Sequence, residues 1–69
     1  MAKTIAFADR LRQMREAKGL SLRALAEVAD ISFQAIHRLE QGQNEPTWDT
    51  VQRLAVALGA PVEAFRTRG

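Results

Sequence analysis

Leu20 to Glu40 reads LSLRALAEVADISFQAIHRLE, and this stretch decides the fold. It contains two short amphipathic segments. Leu22, Leu25, Ala26 and Ala29 form the apolar stripe of the first, and Ala35, Ile36 and Leu39 that of the second. Ser21 and Ser32 precede them as helix caps, since a serine hydroxyl accepts a bond from a first-turn N–H that has no partner within the helix. Only Asp30 and Ile31 remain between Ala29 and Ser32. Helices joined so tightly must turn sharply, at roughly 90–120°. Small side chains are then needed at the crossing, and Ala26 is placed to face Ile36.

Outward from this pair, Phe7, Leu11 and Met14 fall at i, i+4 and i+7 and predict a helix over Phe7–Lys18, closed by Gly19. The second helix is expected at Leu22–Ala29 and the third at Phe33–Gln41, stopped by Gly42. Gln43–Pro46 is a short polar loop. Thr47 caps a fourth helix, Trp48–Leu58, whose stripe is Trp48, Val51, Leu54, Ala55 and Leu58, and Trp48 is read as core. Gly59 ends it. Pro61 suits the first turn of a fifth, short helix that buries Val62 and Phe65. No strand pattern or repeat occurs. The expected architecture is all-α: a compact five-helix domain over 7–66, with flexible ends at 1–6 and 67–69.

Composition sets the bounds. The chain has 69 residues, enough for one small domain that must rely on efficient helix packing. It has no cysteine, so disulfides and cysteine metal sites are excluded. A 46% apolar share argues for a packed core rather than disorder. There is no membrane-length apolar run and no signal-peptide core, so a cytoplasmic location is expected. The net charge is only +2, which makes the placement of charges more informative than their sum. No carboxylate pair, nucleophile–base set or phosphate-binding glycine loop is present. His37, the one histidine, has no companions at metal-ligand spacing. Neither an enzyme nor a cofactor or metal site is expected.

Leu25-Ala26, Ile31-Ser32, Ile36, Leu39-Glu40, Gly42 and Pro46 together resemble the Cro and phage-repressor type of helix-turn-helix, the XRE family, whose fold is lambda-repressor-like. The resemblance runs from about Leu11 to Phe65. Two positions depart from the pattern. Leu22 stands where the family usually has a phosphate-contacting glutamine, and Asp30 where it usually has glycine in the turn. Aspartate tolerates the left-handed conformation better than most residues.

The resemblance implies a sequence-specific regulator that binds double-stranded DNA, with the third helix in the major groove. On a helical wheel, Ala35, Ile36, Leu39 and Glu40 share one side of that helix, and Phe33, Gln34, His37, Arg38 and Gln41 the other. Gln34 and Arg38 match base-contacting positions, and their side chains can each grip a purine with two hydrogen bonds. Phe33 matches another such position. It either presses a thymine methyl group or packs on the second helix. His37 is a base or phosphate neighbour, or simply solvated.

Phosphate contacts are expected from Ser21 and Ser32 at helix N-termini, from Arg23 in place of the absent glutamine, and from the loop residues Gln41, Gln43 and Asn44. Arg15 matches a position that bridges the first helix to Glu40. The expected partner is a two-fold operator bound by a homodimer, with recognition helices about 34 Å apart. Such a dimer would be weak and use the end formed by helices four and five, around Val62 and Phe65. A protein-interaction module of the same fold, antitoxin-like or coactivator-like, is the alternative. Leu22 and Phe33, apolar at DNA-facing positions, motivate it.

Overall fold

The computed structural model describes residues 7–65. The expected flexible ends at 1–6 and 67–69, and the domain's last residue 66, lie outside the described residues. Four α-helices occur: α1 (Phe7–Ala17), α2 (Leu22–Ala29), α3 (Phe33–Glu40) and α4 (Trp48–Leu58). Among the described residues there is no strand. α1 and α3 each stop one residue earlier than their apolar patterns suggest. The fifth element is a single 3-10 turn, Val62–Phe65, not an α-helix. Its Ala64 N–H donates to the Pro61 carbonyl at 2.9 Å, an i→i+3 bond, and the described chain ends one residue later.

Local chemistry sets the helix ends. The Ser21, Ser32 and Thr47 side chains accept from the N–H groups of Ala24, Ala35 and Thr50, at 3.0, 3.1 and 3.1 Å. Each α-helix is followed within two residues by a residue with positive φ. Three are glycines, and the fourth is Asp30, at φ 59° and ψ 45°. After Asp30, the Ile31 N–H reaches back to the Ala26 carbonyl at 3.0 Å, which satisfies a helix-end acceptor and turns the chain into α3. A left-handed backbone costs an ordinary L-residue about 1–2 kcal/mol, less for Asp and nothing for Gly. Asp30→Ala is therefore expected to lower unfolding stability by about 1 kcal/mol, while Asp30→Gly leaves it equal or higher. Urea unfolding of both variants checks this. An alanine variant as stable as the parent would mean that aspartate holds this left-handed turn no better than alanine does.

The core is formed by Leu11 of α1, Leu25, Ala26 and Ala29 of α2, Ile36 and Leu39 of α3, Leu54, Ala55 and Leu58 of α4, and Phe65. Trp48 is not part of it: the side chain is 62% exposed. Phe65 is buried and its ring meets Phe7 at 5.4 Å between centroids, so these two rings fill the end of the core. Trp48, at the first position of α4, is left on the rim of an open groove of about 290 Å³ that Phe7, Val51 and Val62 also line. α1 is further tied to the closing turn by Arg10, whose Nε donates to the Ala64 carbonyl at 2.7 Å.

Candidate nucleic-acid interface

The packing of α3 determines which of its side chains can reach a ligand. Ile36, Leu39 and Glu40 are buried, and Ala35 is half-buried. That anchors one side to the core. Gln34, His37, Arg38 and Gln41 are exposed on the other side. Gln34 and Arg38 are one helical turn apart and form a row of hydrogen-bonding groups. Among the described residues, Arg10, Arg12, Arg15 and Arg53 are bonded to carbonyl or carboxylate oxygens, and Arg23 lies over Phe33. Arg38 makes none of these contacts, so its donors are free for a ligand.

Glu40 would be poor company for Ile36 and Leu39 without a cation. Its side chain is 3% exposed, and Arg15 meets it with two bonds, Nε to Oε2 at 2.6 Å and Nη2 to Oε1 at 3.0 Å. This is the fork-to-carboxylate geometry that fixes orientation as well as distance. The hydrogen bonds from Arg15 to Glu40 hold the guanidinium pKa above its ordinary value. The third arm of Arg15, Nη1, donates to the Leu20 carbonyl at 2.8 Å. One side chain thus joins α1, the α1–α2 connection and the end of α3. Arg12 adds to the clamp, with Nη2 donating to the Glu40 carbonyl at 3.2 Å and Nε 3.6 Å from Oε1.

Phe33 is half-buried and packs against the core cluster. The Arg23 guanidinium carbon lies 4.6 Å from its ring centroid. The His37 ring runs nearly parallel to it, at 6.2 Å and 19°. A guanidinium over a ring keeps N–H donors available, so Arg23 can hold a phosphate while resting on the ring. Leu22 is half-buried against the core as well.

The expected phosphate contacts divide by which atoms are free. The Ser21 and Ser32 oxygens are occupied as acceptors from Ala24 and Ala35, so those two N–H groups are not available to a ligand, whereas the hydroxyl hydrogens are. In the loop, the N–H groups of Gln41, Gly42 and Gln43 are bonded to the carbonyls of His37, Leu39 and Arg38. Gln41, Gln43 and Asn44 are exposed and offer their side-chain amides instead.

Two contributors escaped the sequence reading. Arg12 lies off the apolar stripe of α1, and nothing in its spacing reports a bond to α3. Arg53 donates to Asp49 at 2.8 Å and to the Asp30 carbonyl at 3.2 Å, which ties α4 to the α2–α3 turn. The Asp49–Arg53 spacing of four was a readable signal for the first of these bonds, and none existed for the second. Among the described residues, no helix is long and apolar enough to cross a membrane, and no group of His, Cys, Asp and Glu is arranged to hold a metal.

Residues 6–67 match the model of a family described as a helix-turn-helix domain. The chain is 39% identical over 54 residues to the HTH-type transcriptional regulator DdrOP3 of Deinococcus deserti, a match covering 78% of this chain and 42% of that protein. It spans less than half the length of the curated relatives it matches. Among solved structures, it is similar to the restriction-modification controller protein C.AhdI from Aeromonas hydrophila. That similarity has a TM-score of 0.87 at 31% identity, over 90% of this chain and 94% of that one. The DNA-binding domain of the P22 C2 repressor shares the fold, with a TM-score of 0.88 at 23% identity, over 93% of this chain and 84% of the other.

Proposed function

The chain belongs to the helix-turn-helix family of the Cro and phage-repressor type, and on that premise we propose that it is a sequence-specific, double-stranded DNA-binding transcriptional regulator. α3 enters the major groove, where Gln34 and Arg38 hydrogen-bond to base edges and Phe33 and His37 face the neighbouring bases. Ser21, Arg23, Ser32, Gln41, Gln43 and Asn44 hold the backbone on either side. The observation that carries this reading is the division of α3. One side is locked by Ile36, Leu39 and the Arg15–Glu40 bridge, and the other presents Gln34 and an unengaged Arg38 to solvent.

The protein works as a weak homodimer in the cytoplasm, on a two-fold site. The contact lies at the α4 end, and the exposed Trp48 with the groove beside Val62 supports this choice over the buried Phe65. The relatives' names, a transcriptional regulator and a controller protein, support the regulatory part of the reading. The protein-interaction alternative has a weaker motive, because Leu22 and Phe33 are half-buried and pack against the core cluster rather than forming a fully exposed apolar patch.

Selection of bound sites from random duplex DNA tests the reading. The expected result is an enriched site with two-fold symmetry and half-sites about one helical turn apart. Failure to enrich any sequence would sink it.

A further inference from the structure

α3 carries two rows side by side. Gln34 and Arg38 form one, with hydrogen-bonding groups. Phe33 and His37 form the other, with two near-parallel rings. The second row has no hydrogen-bonding capacity at Phe33, whose side chain packs against the core cluster on one side. Arg23 from α2 lies over the ring, and the ring borders a shallow depression of about 250 Å³ together with Ala26, Glu27 and Ile31. A ring that filled the core would be fully enclosed. Phe33 instead remains half-exposed, at the first position of the helix proposed to lie in the groove.

Only one feature of the major-groove edge matches an apolar ring, and that is the pyrimidine C5-methyl group. We infer that Phe33 is a specificity-determining residue that reads a pyrimidine C5-methyl group, held in place by the Arg23 guanidinium. The inference rests on the DNA-binding reading above. Both residues lie in the first turn of α3, so the methyl-bearing pyrimidine belongs to the same half-site as the purine gripped by Gln34. Thymine and 5-methylcytosine present the same group at the same place, so either base can supply it.

The test uses the site obtained by selection. Each thymine is replaced in turn by uracil, which removes the methyl group and keeps every hydrogen-bonding group. One position in each half-site is expected to lose about fourfold in affinity, the worth of one buried methyl group. Phe33→Ala should bind the thymine and uracil sites equally, and Phe33→Leu should keep part of the difference. Circular dichroism and binding to unrelated DNA establish that both variants fold. At the same position, cytosine is compared with 5-methylcytosine. A matching factor there shows that either base serves, and its absence assigns the site to thymine alone. A protein that selects a site but is indifferent to uracil at every position overturns the inference and leaves the DNA-binding reading standing. So does a uracil effect that survives in Phe33→Ala. A protein that selects no site overturns both.

Discussion

Glu40→Gln is expected to remove about 3 kcal/mol of folding stability, the lower part of the range for breaking a buried ion pair. The exposures of the partners, 3% for Glu40 and 13% for Arg15, place the bridge in that regime rather than in the ~0–1 kcal/mol regime of surface pairs. The lower part applies because neither charge is wholly abandoned. Arg15 keeps its bond to the Leu20 carbonyl, and a Glu40 deprived of Arg15 still has Arg12 near it. Arg15→Met should cost a similar amount. The two losses should not add, since the second substitution removes a charge that the first had stranded. A domain of this size has a total stability of only about 3–10 kcal/mol at typical per-residue values, so either variant sits close to unfolding. Urea unfolding of the two single variants and the double decides the matter. Near-zero, additive changes would show that the bridge does not hold α3.

Arg38→Ala is expected to lose about 1–3 kcal/mol of binding on the selected site and to relax preference at one base pair. Arg38 stands four residues beyond Gln34 on the exposed side of α3, and nothing else among the described residues engages it. Arg23→Ala should follow another pattern. A phosphate contact carries no sequence information, so binding should weaken on specific and unrelated DNA alike, apart from the methyl-bearing position that Phe33 reads. The slope of log affinity against log salt should become shallower by about one unit. Titrations of both variants against the site, its single-base changes and unrelated duplex, at two salt concentrations, separate the two roles. An equal loss for Arg38→Ala on all of these sequences would make Arg38 a backbone contact and move the reading face elsewhere.

Most of this architecture is legible in the sequence because its signals are local. A cap such as Ser32 and the N–H it serves at Ala35 are three residues apart, so one short window contains both. The stripes that place Leu25, Ile36 and Leu54 in the core are periodic within single helices. The Arg15–Glu40 bridge lies beyond any window, and only the family resemblance pointed to it. What stayed hidden depends on where helices end relative to one another. Trp48 has the right period for the core but sits at the first position of α4, beyond the space that Phe7 and Phe65 already fill. Arg12 and Arg53 reach carbonyls 28 and 23 residues away, and such bonds leave no pattern in the sequence. At Phe33 the packing half of the expected alternative is visible, since the ring lies against the core, and its open side leaves the methyl contact to the uracil test.

The clasp between the two ends of the described chain has a kinetic consequence. Arg10 and Ala64, 54 residues apart, are joined by one bond, and Phe7 and Phe65 meet beside them. The α2–α3 pair, in contrast, is linked by a turn of three residues, Asp30 to Ser32. Closing the long loop costs more chain entropy than closing the short one, and few contacts are gained in return until α4 is docked. The order of events follows from that difference. The two crossing helices and α4 assemble while the ends are still apart, and the clasp shuts late. In reverse, it opens first. Changes at Phe7 or Phe65 therefore act on how long the folded molecule lasts more than on how fast it forms.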